Sequence, residues 1–167
     1  MKILFIGTID FSYHCLEEII NNQGNIVGVL TKEESSFHSD FRDLTPLAEK
    51  NDIPLFYIEN INSEHSFEII KKLDPDVIFC FGWSQLINSQ ILNYPPLGVI
   101  GVHPAQLPKN RGRHPLIWAL VLGLEKSAVT FFKMDEEADT GNIISQKKFE
   151  IKYEDDAGSI YQKIKEI

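Results

Sequence analysis

The chain has little cysteine, a shortage of positive charge and no long apolar run, and each lack removes a class of function. Among 167 residues there are two cysteines, Cys15 and Cys80, and they are not in CxxC spacing. A disulfide scaffold or a metal site is therefore disfavoured, and both are expected to be buried thiols in a reducing cytoplasm. Lys and Arg number 16 against 24 Asp and Glu, a net charge of -8, which works against broad, sequence-independent nucleic-acid binding. No window approaches the roughly 20 apolar residues of a membrane span. The KILFIG that follows Met1 is too short for a signal peptide and is broken at Thr8 and Asp10. A soluble, cytoplasmic protein with no membrane partner is expected. The segment GTIDFS after the first apolar run has one glycine, so the GxGxxG fingerprint is missing and an NAD-dependent enzyme is disfavoured.

What is present is an alternation. KILFI, NIVGVLT, PLFYI, DVIFCFG, LGVIGVH and AVTFFKM are short β-branched or aromatic runs, apolar on both faces as buried parallel strands are. Helical patterns separate them. DFSYHCLEEIINN places Phe11, Cys15, Leu16, Ile19 and Ile20 on one stripe and stops before Gly24. Thr45 and Pro46 read as N-cap and first helical residue of LAEKN, SFEIIKKL has one apolar face, and HPLIWALVLG starts near Pro and ends at Gly. Strand and helix in turn imply right-handed crossovers and an α/β fold, a Rossmann-like, mostly parallel twisted sheet with helices on both faces. At this length one domain, residues 1–167, is expected. The polar stretch TKEESSFHSDFRD reads as a mobile surface loop. YEDDAGSIYQKIKEI reads as a capped amphipathic helix that stops abruptly, as at a truncated C-terminus.

In such sheets, ligands bind outside the carboxyl ends of the strands. After DVIFC comes FGWSQLI, where Gly82 lets backbone approach a ligand and Trp83 offers a flat apolar surface, or else covers the sheet edge. His103 ends LGVIGVH; it is either a structural imidazole or an acid/base group in the crevice. Pro104 and Pro108 stiffen the next loop, and Lys109, Arg111, Arg113 and His114 put cations there. On an acidic chain this cluster suits a phosphate or carboxylate, with a solvated basic loop as the plain alternative. Asp139, in DEEADTG, supplies a later carboxylate, or marks a β-turn closed by Gly141.

Together these segments resemble the formyltransferase family that uses 10-formyltetrahydrofolate, whose members modify methionyl-tRNA, glycinamide ribonucleotide or amino sugars. MKILFIGTIDFS looks like the family's opening strand and substrate loop, FGWSQLI like its folate-pocket segment, HPAQLPKNRGRHP like its HPSLLPxxRG loop, and DEEADTG like its DxGxDTG turn. RHPLIWAL looks more like the sugar-modifying members.

The resemblance implies a catalytic His103 and Asp139. It implies 10-formyltetrahydrofolate as co-substrate, held by Gly82, Trp83, Gln85, Leu86, Ile87 and Asp139, with no metal. It implies acceptor contacts from Thr8, Phe11, Ser12, Lys109, Arg111 and Arg113. An amine would attack the formyl carbon, and the oxyanion of the tetrahedral intermediate would be held by the imidazolium and by an Asn amide two residues before the His.

Here that position is Gly101. Losing one oxyanion donor typically costs about 10²–10³ in rate. Gln106, Asn110, Asn142 or a water in the space left at Gly101 are the candidate replacements. The expected acceptor is a small phosphate-bearing amine, a nucleotide-linked amino sugar first. A tRNA is disfavoured by the charge and by the lack of a further basic domain after residue 167; a homodimer would form through segments outside this chain. The alternatives are a hydrolase that releases formate from the folate, and a folate- or nucleotide-binding module without turnover.

Overall fold

The computed structural model describes residues 1–34 and 39–167 and resolves into two compact units, Met1–Ile100 and Gly101–Ile167. The first is built as β1 (Ile3–Ile6), α1 (Asp10–Asn21), β2 (Ile26–Thr31), α2 (Thr45–Lys50), β3 (Leu55–Tyr57), α3 (Glu64–Leu73), β4 (Val77–Cys80) and α4 (Ser89–Leu92). Its strands run β3-β2-β1-β4, and the pairs β1–β2, β1–β4 and β2–β3 are all parallel. The apolar runs are continuous because β1 is flanked on both edges and buried at all four residues. The order reverses between β1 and β4, so the loops that leave these two strands flank a topological switch point, where α/β sheets bind ligands.

The local signals mostly act as read, with small shifts. Thr45 is the first residue of α2 and Leu44 its N-cap, so the expected cap is displaced by one. At the end of α1 the left-handed residue is Gln23, φ 59°, rather than Gly24. α3 is capped by Ser63, whose side chain accepts from the Ser66 amide, and it buries Ile70 completely. Cys80 is buried and Cys15 half-buried; burial pushes both thiols up to about 12. The expected mobile loop lies partly outside the described residues. Its far end is tied down: Phe41 bridges Ile9, and Arg42 stacks 3.9 Å over the Tyr13 ring and pairs with Asp10.

The second unit begins within β5 (Val99–His103) and continues through α5 (Pro115–Val121), β6 (Lys126–Lys133), β7 (Ile143–Glu150) and α6 (Ala157–Lys165). The strand order is β5-β6-β7, and β7 returns antiparallel to β6. β7 is not signalled by IISQKKFE, because a strand exposed along most of both faces has no apolar alternation to display. α6 is the capped amphipathic helix expected: the Asp156 carboxylate accepts from the Ser159 amide, and Ile160 and Ile164 are buried. Among the described residues no helix is long and apolar enough to cross a membrane, and no cluster of ligating side chains could hold a metal ion.

Candidate active site

His103 is the last residue of β5 and is 7% exposed, so its ring is buried. Nδ1 lies 3.6 Å from Asp139 Oδ1, an ion-pair contact rather than a hydrogen bond. Nε2 lies 3.1 Å from the Asn110 carbonyl. A carbonyl only accepts, so Nε2 carries the proton in that bond. The second carboxylate oxygen of Asp139 accepts from the Gly112 amide at 2.9 Å. One loop therefore holds both members of the pair through main-chain groups two residues apart, the Asn110 C=O and the Gly112 N–H. To aim them it uses left-handed backbone at Asn110, Gly112 and His114, a conformation that Gly and Asn adopt most readily.

Asp139 is delivered by a tight turn. Asp135 Oδ1 accepts from the Glu137 amide at 3.2 Å and from the Thr140 hydroxyl. A Cβ at Gly141 would stand 1.6 Å from the Lys133 carbonyl oxygen, so only glycine lets the chain turn back against the end of β6. Asp139 itself sits at φ 58°.

The Gly101 position is packed, not open. A Cβ there would lie 2.9 Å from Met134 Cγ, 3.1 Å from its sulfur and 3.1 Å from Phe132 Cζ. The space in which a water was expected is thus taken by the Met134 thioether. Of the other replacement donors, Gln106 is half-buried and Asn142 exposed, while Asn110 presents its carbonyl to His103. Lys109, Arg111 and Arg113 are exposed along the loop that holds the pair.

In the first unit the expected ligand residues form a framework. Ser12 is fully buried; its hydroxyl accepts from the Thr8 and Ile9 amides and donates to the Phe81 carbonyl at 2.6 Å. Thr8, 1% exposed, donates to the Gly82 carbonyl, and Phe11 is buried. Gly82 is at φ 73°, and a Cβ there would meet Ile9 and Ser12 at 2.4–2.6 Å. The Gln85 amide is committed to the Ile61 N–H and the Glu59 carbonyl, Ile87 is buried, and Leu86 is 62% exposed. Trp83 differs: Lys32 Nζ lies 5.7 Å from its ring centroid, and its indole N–H is buried with no hydrogen-bond partner among the described residues. Sequence reading missed Met134 and the two main-chain groups on the His103–Asp139 pair. The left-handed Asn110 and Gly112 were the available signals, in the N-R-G run.

Residues 1–167 match the family model described as "Formyl transferase" over the whole chain. The chain belongs to the formyl transferase family. A methionyl-tRNA formyltransferase of Kosmotoga olearia is 34% identical over 98% of this chain and 54% of its own length. The chain spans about half the length of the curated relatives it matches. Among solved structures, phosphoribosylglycinamide formyltransferase from Bacillus halodurans matches at a TM-score of 0.84 and 19% identity, covering 99% of this chain and 88% of that one. WlaRD, a sugar 3N-formyl transferase solved in the presence of dTDP and 5-N-formyl-THF, matches at 0.72 and 22%, over 99% of this chain and 58% of its own. These likenesses establish the fold, the Rossmann-like, mostly parallel sheet with helices expected from the alternation.

Proposed function

We propose that residues 1–167 form the catalytic domain of an enzyme that moves a formyl group from 10-formyltetrahydrofolate to a primary amine of a small phosphate-bearing substrate, a nucleotide-linked amino sugar first. The observation that carries this reading is the His103–Asp139 pair, each member fixed by a main-chain group of one cationic loop. The folate fits the residues of the first unit in one respect that can be checked. The buried Trp83 indole N–H lacks a partner among the described residues, and an acceptor on a pteridine would satisfy it. Gly82, Trp83, Gln85, Leu86 and Ile87 would hold the folate, which supplies the formyl group.

The chain's own groups then divide the work. The Asp139 carboxylate orients the imidazole through Nδ1. His103 Nε2–H, released from the Asn110 carbonyl, donates to the oxygen on which charge develops. Asp139 assists removal of the amine proton through water. Lys109, Arg111 and Arg113 meet the acceptor's phosphates. With Gly101 in place of an amide, one oxyanion donor is missing, worth about 10²–10³ in rate.

A tRNA acceptor is the second reading, favoured by the 34% identity to a relative named methionyl-tRNA formyltransferase. The net charge of -8 weighs against it. The deciding assay supplies 10-formyltetrahydrofolate with a dTDP-linked amino sugar, glycinamide ribonucleotide or methionyl-tRNA, and measures formylated acceptor by mass. Transfer to the amino sugar, lost in His103→Ala, is expected. Formate released equally fast without acceptor would convert the reading to a hydrolase, and no chemistry with any acceptor would sink it.

A further inference from the structure

We propose that Thr130 and Gln146 are positioning residues, a hydrogen-bonded brace that fixes the loop by which His103 and Asp139 are held. Thr130 on β6 and Gln146 on β7 are register partners, so their side chains share one face of the hairpin. Thr130 is fully buried, and its hydroxyl donates to the Ala105 carbonyl at 2.6 Å. Gln146 Nε2 donates at 2.9 Å to the Thr130 hydroxyl and at 3.0 Å to the Leu107 carbonyl. Both amide hydrogens are used, and the hydroxyl both gives and receives. The brace accounts for an oddity of β7, a mostly exposed strand in which the polar Gln146 is half-buried while its apolar Ile143 and Ile144 are exposed.

The braced carbonyls lie two and four residues after His103, in a segment where Ala105 and Leu107 are 1% and 3% exposed. Pro108, with its fixed φ, follows at once. Three residues beyond Leu107 the Asn110 carbonyl meets His103 Nε2, and five beyond it the Gly112 amide meets Asp139. Without the brace the Leu107 carbonyl loses a donor inside the protein, and the start of the loop must shift to regain one. A displacement of about 1 Å at such a remove can cost about 10²-fold in rate.

The inference rests on the formyl-transfer reading for its kinetics, but not for its spectroscopy. Thr130→Val and Gln146→Leu keep shape and remove the hydroxyl and the amide; Thr130→Ser keeps the hydroxyl. In each variant the ¹⁵N resonances of the His103 ring are recorded in the free protein. Transfer from 10-formyltetrahydrofolate to a dTDP-linked amino sugar is followed for kcat and KM. Both disabling variants should move the His103 Nε2 resonance and lower kcat about tenfold or more with KM changed less than about twofold. Thr130→Ser should retain wild-type values, and the double variant should be little worse than either single one. Should Thr130→Val fail to fold, Gln146→Leu on the exposed strand carries the same test. Folded variants with an unmoved His103 resonance and unchanged kcat overturn the brace. A moved resonance in a protein whose wild type transfers no formyl group leaves the brace standing and rejects the activity.

Discussion

The loops that leave β1 and β4 and the loops that leave β5 and β6 use similar residues in opposite senses. In the first unit polar side chains hold main chain: the Ser12 hydroxyl serves the Thr8 and Ile9 amides and the Phe81 carbonyl, and the Gln85 amide serves Ile61 and Glu59. At the His103–Asp139 pair of the second unit main chain holds polar side chains: the Asn110 carbonyl and the Gly112 amide fix His103 and Asp139. A side chain that satisfies buried backbone has less capacity left for a reactant, fully spent in the Ser12 hydroxyl and half spent in the Gln85 amide, whereas a side chain fixed from behind by backbone keeps its chemistry and loses only its freedom. The difference teaches where to look for function in a sheet of this kind. Serine and threonine after a strand are weak evidence for a ligand, because the tight turn itself consumes them.

Substitutions at His103 and Asp139 should therefore fall on rate, and those in the turns that position the main chain of either unit on stability. The largest effect is expected for Asp139→Asn, which keeps shape but no longer orients the ring; formyl transfer should drop by about 10³-fold or more in kcat, and near-normal turnover would break the contrast. Gly141→Ala drives a Cβ into the Lys133 carbonyl. It should cost about 3 kcal/mol or more in urea unfolding, because both the turn and the strand end must yield. Ser12→Ala leaves buried amides without an acceptor and should cost about 2 kcal/mol by the same measurement; a stable Ser12→Ala protein would remove the structural reading of that hydroxyl.

Gly101→Asn should sharpen the comparison by gain. The added amide is worth about 10²–10³ as an oxyanion donor, part of which is offset by moving Met134, so a rise in kcat of about tenfold is expected. No rise would mean that another group already fills the role. The smallest effect concerns Asp155, whose carboxyl is held down at about 2 by the Lys163 ammonium and then by the Lys152 amide. Because its folded value lies below the ordinary 3.8, its contribution is present above that pH and is lost as the pH falls through about 2. Asp155→Asn should flatten the acid limb of the stability curve between pH 4 and pH 2, read by circular dichroism.

The parallel core was legible in the sequence because strands buried on both faces are largely apolar, as β1 and β4 are throughout and β2 is as far as Leu30. β7 was not legible, since only Gln146 and Phe149 are even half-buried and a lone half-buried glutamine looks like a surface residue. Of the candidate site, His103 and Asp139 were visible as residue types at the ends of strands. Their partners were not, because a carbonyl and an amide belong to every residue, and only the left-handed backbone at Asn110 and Gly112 aims them. Gly101 shows the same division. Its identity announces a missing side chain, but sequence reading left a space for water, and the folded chain fills it with Met134.

By itself, then, the sequence determined the layer architecture, the limits of α1, α2 and α5 to within about two residues, and two candidate side chains for acid–base work, while α4 went unsignalled. These depend on hydrophobic period and residue chemistry, which are local. Only the tertiary structure decided that His103 meets Asp139 through Nδ1, that one loop secures both, and that no cavity opens at Gly101. Such facts depend on distances between residues up to 36 positions apart along the chain, which chain folding fixes and composition does not express.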